Sequence, residues 1–98
     1  MNFISPAEGT AIFHAERGKF LVPRDRSKAR AELERSIAIS PQADAIAVLL
    51  NLLLRTGELN EAQKLVDQVE ASDNKQCRLI PSIEKKLIEA GVRISIKK

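Results

Sequence analysis

The sequence predicts an all-α fold, a right-handed stack of antiparallel helical hairpins with about five helices. Three observations carry this expectation. Gly57-Glu58-Leu59-Asn60-Glu61-Ala62 separates an apolar segment, Ala43 to Leu54, from an amphipathic one, Ala62 to Val69. A glycine turn followed by an acidic, alanine-containing helix start closes one helix and opens the next. Gly91 follows Gly57 by 34 residues, a period of helix–turn–helix repeats. Finally, Ser5-Pro6 recurs as Ser40-Pro41, 35 residues on.

The first helix starts at Ser5-Pro6-Ala7-Glu8, with Ser5 as N-cap, Pro6 at the first helical position and Glu8 three residues after the cap. Ile12, Phe13 and Ala15 follow, then Phe20 and Leu21. Gly18 weakens the helix locally, and Pro23 ends it by Leu21. Pro23 to Ser27 is a charged turn. Ala29, Leu33 and Ile37 then mark one face of a second helix that closes near Ile39. Ser40-Pro41 opens a third helix running to about Thr56. Its Ile46, Val48, Leu49, Leu50, Leu52, Leu53 and Leu54 cover most of the circumference, which makes it the central, buried element. Gly57 stops it.

Asn60 is the expected cap of the fourth helix, with Gln63 reaching back to it. Ala62, Leu65, Val66 and Val69 form its apolar face. A fifth helix runs from about Ile80 or Pro81 to Ala90, burying Ile83, Leu87 and Ile88, and Gly91 stops it. The tail Val92 to Lys98 alternates apolar and polar residues and reads as extended or frayed. Val92, Ile94 and Ile96 form a candidate sticky edge, set against a terminus that simply docks. The expected organisation is one domain, 1–98, with hairpins at 6–39 and 41–71, a capping helix at 77–91 and a tail at 92–98.

Composition narrows the function. The 98 residues are 44% hydrophobic, with three Phe and no Trp or Tyr, so the core must be aliphatic. The net charge of +3 is mild, the basic residues alternate with acids, and no aromatics interleave with them to stack on bases. No nucleic-acid partner is therefore expected. A single Cys and a single His supply neither a disulfide nor a metal site. With no second His, no Ser-His-Asp set and no paired carboxylates in an apolar setting, neither catalysis nor a cofactor has a visible basis. No apolar stretch is long enough to span a bilayer, and the first residues do not read as a secretory leader. The expected compartment is the cytoplasm.

Residues 7 to 91 resemble the tetratricopeptide repeat family, in about two and a half repeats. Aligning Gly57 to Ala62 on the family pattern places Ala62 on its small residue of the second helix and Val66 on its large apolar site. Ala29 and Leu33 repeat that pair 33 residues earlier, and Pro41 stands where a repeat closes. Phe13, Ile46 and Ile80 take the site usually held by an aromatic, and Leu53 and Leu87 the site of a Tyr. The chain departs from the family in its aliphatic replacements, its Pro23-Arg24-Asp25 turn and a third repeat without a second helix. The last feature makes the fifth helix a cap, because each hairpin buries its apolar face only by stacking.

The resemblance implies a concave groove lined by the first helix of each repeat, holding a protein or peptide segment. The matching positions are His14, Gly18, Ala47, Asn51, Arg55, Arg78 and Lys85. Asn51 is the uncharged polar residue of a leucine-rich helix. Either it grips a peptide backbone, or it faces an open groove or bonds a neighbouring turn. Arg55, Arg78 and Lys85 would line the groove for an acidic segment, against the plainer account of ordinary surface charges. His14 reads as a groove-wall or surface histidine, and Cys77 as a buried or half-buried small residue.

The function expected is a non-enzymatic protein–protein interaction module of adaptor or chaperone type, including a small secretion chaperone. A second account makes the chain the repeat domain of a larger membrane protein of glycan assembly, on the periplasmic side.

Overall fold

A computed structural model describes residues 6–72 and 77–94. Five helices form, and no strand occurs among the described residues: α1 (Pro6–Leu21), α2 (Arg26–Ile39), α3 (Ala43–Arg55), α4 (Leu59–Ala71) and α5 (Pro81–Ala90). They make a slab of 39 × 36 × 18 Å.

Small residues bring α1 and α2 together. Ala11, Ala15 and Gly18 of α1 are buried, as are Ala29, Leu33 and Ser36 of α2. Ser36 is fully buried, and its hydroxyl donates to the Ala11 carbonyl oxygen at 2.6 Å, so its burial leaves no polar atom unpaired. Gly18 does not interrupt α1. A β-carbon there would lie 2.7 Å from Leu33 Cγ and 3.3 Å from the Ala29 carbonyl oxygen, so the missing side chain is what lets the helices touch. The expected capping residue, Ser5, lies outside the described residues.

The next turn is set by Asp25. Its carboxylate accepts from the Lys28 backbone N–H at 3.1 Å and caps α2. At the other end Ser40 belongs to α2, not to the following helix, because its N–H donates to the Ser36 carbonyl at 3.0 Å. Helix α3 therefore begins at Ala43 rather than Pro41, with Gln42 as an N-cap that makes no side-chain bond.

Helix α3 is the hub: α2, α4 and α5 all pack on it. Ala45, Ile46, Leu49, Leu50, Leu52 and Leu53 are buried, and each fully buried Leu or Ile contributes roughly 1.5–3 kcal/mol of transfer free energy. Leu65, Val66 and Val69 of α4 and Ile83 and Leu87 of α5 complete the same core.

The two spaced glycines make the same stop. After α3, Glu58 N–H donates to Leu53 O at 2.9 Å and Gly57 N–H to Leu54 O at 3.2 Å, with Gly57 at φ +75°. After α5, Val92 N–H donates to Leu87 O at 2.9 Å and Gly91 N–H to Ile88 O at 3.1 Å, with Gly91 at φ +95°. This paired pattern with a left-handed glycine is the Schellman motif, and the buried Val92 supplies its apolar contact near Leu87. Gly91→Ala forces an L side chain into the left-handed region and is expected to destabilise by about 1–2 kcal/mol. Gly9→Ala, on the exposed side of α1 with open space around it, is expected to stabilise by up to about 1 kcal/mol. Urea denaturation of the two variants checks the opposite signs.

Three further expectations are corrected. Asn60 does not cap α4, which starts at Leu59 behind Glu58. Gln63 instead reaches forward in sequence: its amide oxygen accepts from Arg93 N–H at 2.9 Å and its amide nitrogen donates to the Arg93 carbonyl at 3.0 Å. That pair docks the start of the tail, where Val92 is buried and Ile94 half-buried; Ile96 lies outside the described residues. Ile88 is 52% exposed rather than buried, because α5 turns only Ile83 and Leu87 inward.

Candidate partner-binding face

The face of α3 turned away from its buried side carries Ala47, Asn51 and Arg55 at one-turn intervals. Burial falls along this stripe: Ala47 and Asn51 are half-buried and Arg55 is exposed. Val48 and Leu54 flank it, both half-buried and packed on the core. The floor is thus apolar, with one amide at its centre and a guanidinium at its end. Among the described residues the Asn51 amide makes no hydrogen bond, and no buried side-chain polar atom is left unpaired. Asn51 therefore keeps its donors and acceptor available to solvent or to a ligand.

The remaining predicted residues are placed less uniformly. His14 stands on α1 with its side chain 15% exposed, and its Nδ1 lies 3.3 Å from Glu32 Oε2 on α2. Arg17 Nε meets the same carboxylate at 3.1 Å. His14 is thus committed to the α1–α2 hairpin. Gly18 is no groove position, since it is buried against Leu33. Arg78 is exposed ahead of α5, and Lys85 is exposed on α5. The structure therefore assembles Ala47, Asn51 and Arg55 through α3, and leaves the others on separate elements. Cys77 is half-buried against the core.

Two of the clefts that border the hub helix differ in their electrostatics. A cleft of about 300 Å³ between α2, α3 and α4 has Ile37, Leu49, Leu53 and Leu65 at its floor and Arg30, Glu34, Glu61 and Lys64 on its walls. Those charges neutralise one another: Arg30 meets Glu34 at 3.2 Å, Glu58 at 2.7 Å and Glu61 at 3.7 Å, and Lys64 meets Glu61 at 3.8 Å. The Thr56 hydroxyl, donating at 2.7 Å, together with Arg30, holds the Glu58 carboxyl below its ordinary value. This surface is satisfied internally.

The second cleft, about 640 Å³, lies between the α1–α2 turn and the end of α3, lined by Val22, Pro23, Arg24, Asp25, Arg26, Ser27 and Arg55. Its acid, Asp25, is committed to capping α2. Arg24 donates to the Phe20 carbonyl at 2.8 Å, and neither Arg26 nor Arg55 has an acidic partner among the described residues. Arg55 thus ends the α3 stripe in a cleft that sets three arginines against one carboxylate, a net basic surface. The Arg24-Asp25-Arg26 run is plain in the sequence, but the fold that sets it beside Arg55 is not. Elsewhere Lys19 pairs with Asp44, and that bond raises the lysine's pKa.

Among the described residues, no group of three His, Cys, Asp or Glu is placed to hold a metal ion, and no helix is long and apolar enough to cross a membrane. A family model described as the tetratricopeptide repeat matches residues 24–80. No curated protein and no solved structure shows a significant match.

Proposed function

The chain belongs to the tetratricopeptide repeat family, whose members act as scaffolds for protein–protein interaction, and on that premise we propose that it binds an acidic protein segment along the outer stripe of α3. The observation that carries this is the half-buried Asn51 amide, left without a partner between Ala47 and Arg55. An extended segment laid over Ala47, Val48 and Leu54 would bury apolar surface, and Asn51 would donate to and accept from its backbone. Its acidic residues would meet Arg55 and, beyond it, Arg24 and Arg26. Arg78 and Lys85, exposed on the α5 side, would extend the basic lining. His14, held by Glu32, would border the site without gripping the ligand. No chemistry on the ligand is part of this role.

Affinity capture from a lysate of the source organism tests it. Wild-type bait is compared with an Asn51→Ala/Arg55→Glu double variant whose helical circular dichroism and thermal unfolding match wild type. A protein retained by wild type and reduced at least tenfold on the variant, with an acidic segment that alone competes for binding, is the expected result. A ligand held equally by both baits would move the site off α3.

A further inference from the structure

Helix α1 is apolar on two opposite sides. Its inner side, Ala11, Ala15 and Gly18, is fixed against α2 by the Ser36–Ala11 hydrogen bond and by the Gly18–Leu33 contact. Rotating α1 to hide its outer side would break both. That outer side exposes Ile12 (42%), Phe13 (55%) and Phe20 (60%). Two of the chain's three phenylalanines are therefore on the surface, in a protein whose core is aliphatic. Clustered exposed aromatics mark a surface that is meant to be covered.

The repeat supports the same conclusion. Ile46 and Leu53 stand 33 residues after Phe13 and Phe20, and both are buried in the stack. The equivalent positions of α1 are uncovered among the described residues. Around them lies a shallow cleft of about 390 Å³ lined by Phe13, Glu16, Arg17, Phe20 and Leu21.

The order of groups along this face points to its occupant. Phe13 and Phe20 lie symmetrically about the Glu16-Arg17 pair, and each ring carries a guanidinium one turn further on: Arg17 at 5.5 Å from the Phe13 centroid, Arg24 at 3.9 Å from the Phe20 centroid. A face arranged this way is complementary to its own reverse. Set antiparallel on a second α1, Phe13 meets the second copy's Phe20, and Glu16, 65% exposed beside Lys19, meets the second copy's Arg17, 58% exposed beside Glu32, twice over. We propose that the outer face of α1 is a two-fold interface on which a second copy of this chain packs its own α1 antiparallel. A helix of this length is about 24 Å long, so the strip covered would be at the small end of specific interfaces, below about 1,200 Å² in total. The expected dimer is accordingly weak, with a dissociation constant of order micromolar. Arg24, over the Phe20 ring, borders both faces, but Asn51 and Arg55 take no part in the dimer contact, so each proposal is tested by variants that leave the other's central residues in place.

Sedimentation velocity across about 5–500 µM tests it, a span that brackets a micromolar equilibrium. The weight-average mass of wild type should rise toward twice that of one chain. Phe20→Glu, at an exposed position, should keep its helical circular dichroism and weaken association more than tenfold. Glu16→Arg should also weaken it, because it sets like charges across the two-fold axis while leaving the Arg17–Glu32 contact in place. A wild type that stays at the single-chain mass overturns the proposal. So does a dimer that Phe20→Glu or Glu16→Arg leaves intact.

Discussion

Leu50→Ala is expected to destabilise the protein by about 2–5 kcal/mol. Leu50 is fully buried at the centre of α3, and α2, α4 and α5 all pack on that helix. The cavity would open where several helices meet, so no single neighbour can collapse into it without leaving another. Total stability for a chain of 98 residues is about 5–15 kcal/mol. The substitution therefore removes a large share of it. Urea denaturation should show a lower midpoint with an unchanged slope, since the whole stack unfolds as one unit. A loss below about 1 kcal/mol would mean that α3 is not the shared core.

Gly18→Val is expected to cost about 2–3 kcal/mol, against the trend of helix propensity, which favours Val over Gly. The reason is local. The new β-carbon would fall 2.7 Å from Leu33 Cγ and 2.9 Å from Leu33 Cδ2, and Leu33 is fully buried and has nowhere to move. The Ala29 carbonyl at 3.3 Å blocks the other direction. Gly18→Ala should also destabilise, by less, because it adds the clash without the branched methyls. A stabilised Gly18→Ala would show that α1 and α2 are not in this close contact. Differential scanning calorimetry of both variants reads the sign directly.

Periodicity and glycine spacing were enough to predict the helices and their stacking. Gly57 and Gly91 stop α3 and α5 with the same two hydrogen bonds, and Ala29, Leu33, Ala62 and Val66 are buried where the repeat pattern puts them. Helix ends were harder to read. Ser40 could cap either neighbour, and only the Ser36 carbonyl within reach decides that it closes α2. Gln63 has capping chemistry in its sequence context, but its partner, Arg93, lies 30 residues away. Gly18 looked like a weak point because the residue it accommodates, Leu33, is on another helix. The exposure of Ile12, Phe13 and Phe20 was not legible, because hydrophobicity does not reveal which side of a helix has a neighbour.

The candidate binding face divides in the same way. Ala47, Asn51 and Arg55 share a face by helical spacing alone, so sequence was sufficient to group them. The basic cleft at the end of that stripe depends on the fold bringing the α1–α2 turn beside Arg55. His14 was drawn into the groove by alignment, whereas the Glu32 carboxylate holds it to α2.

The most direct test of the proposed role is photo-crosslinking from defined positions. A photoreactive side chain at position 47, one turn from Asn51 on the α3 stripe, is compared with one at Lys64, exposed on α4. With the folded full chain in lysate, position 47 should give a discrete adduct that an excess of unlabelled wild type suppresses, while position 64 gives none. Adducts at position 64 and none at position 47 would contradict a binding face on α3.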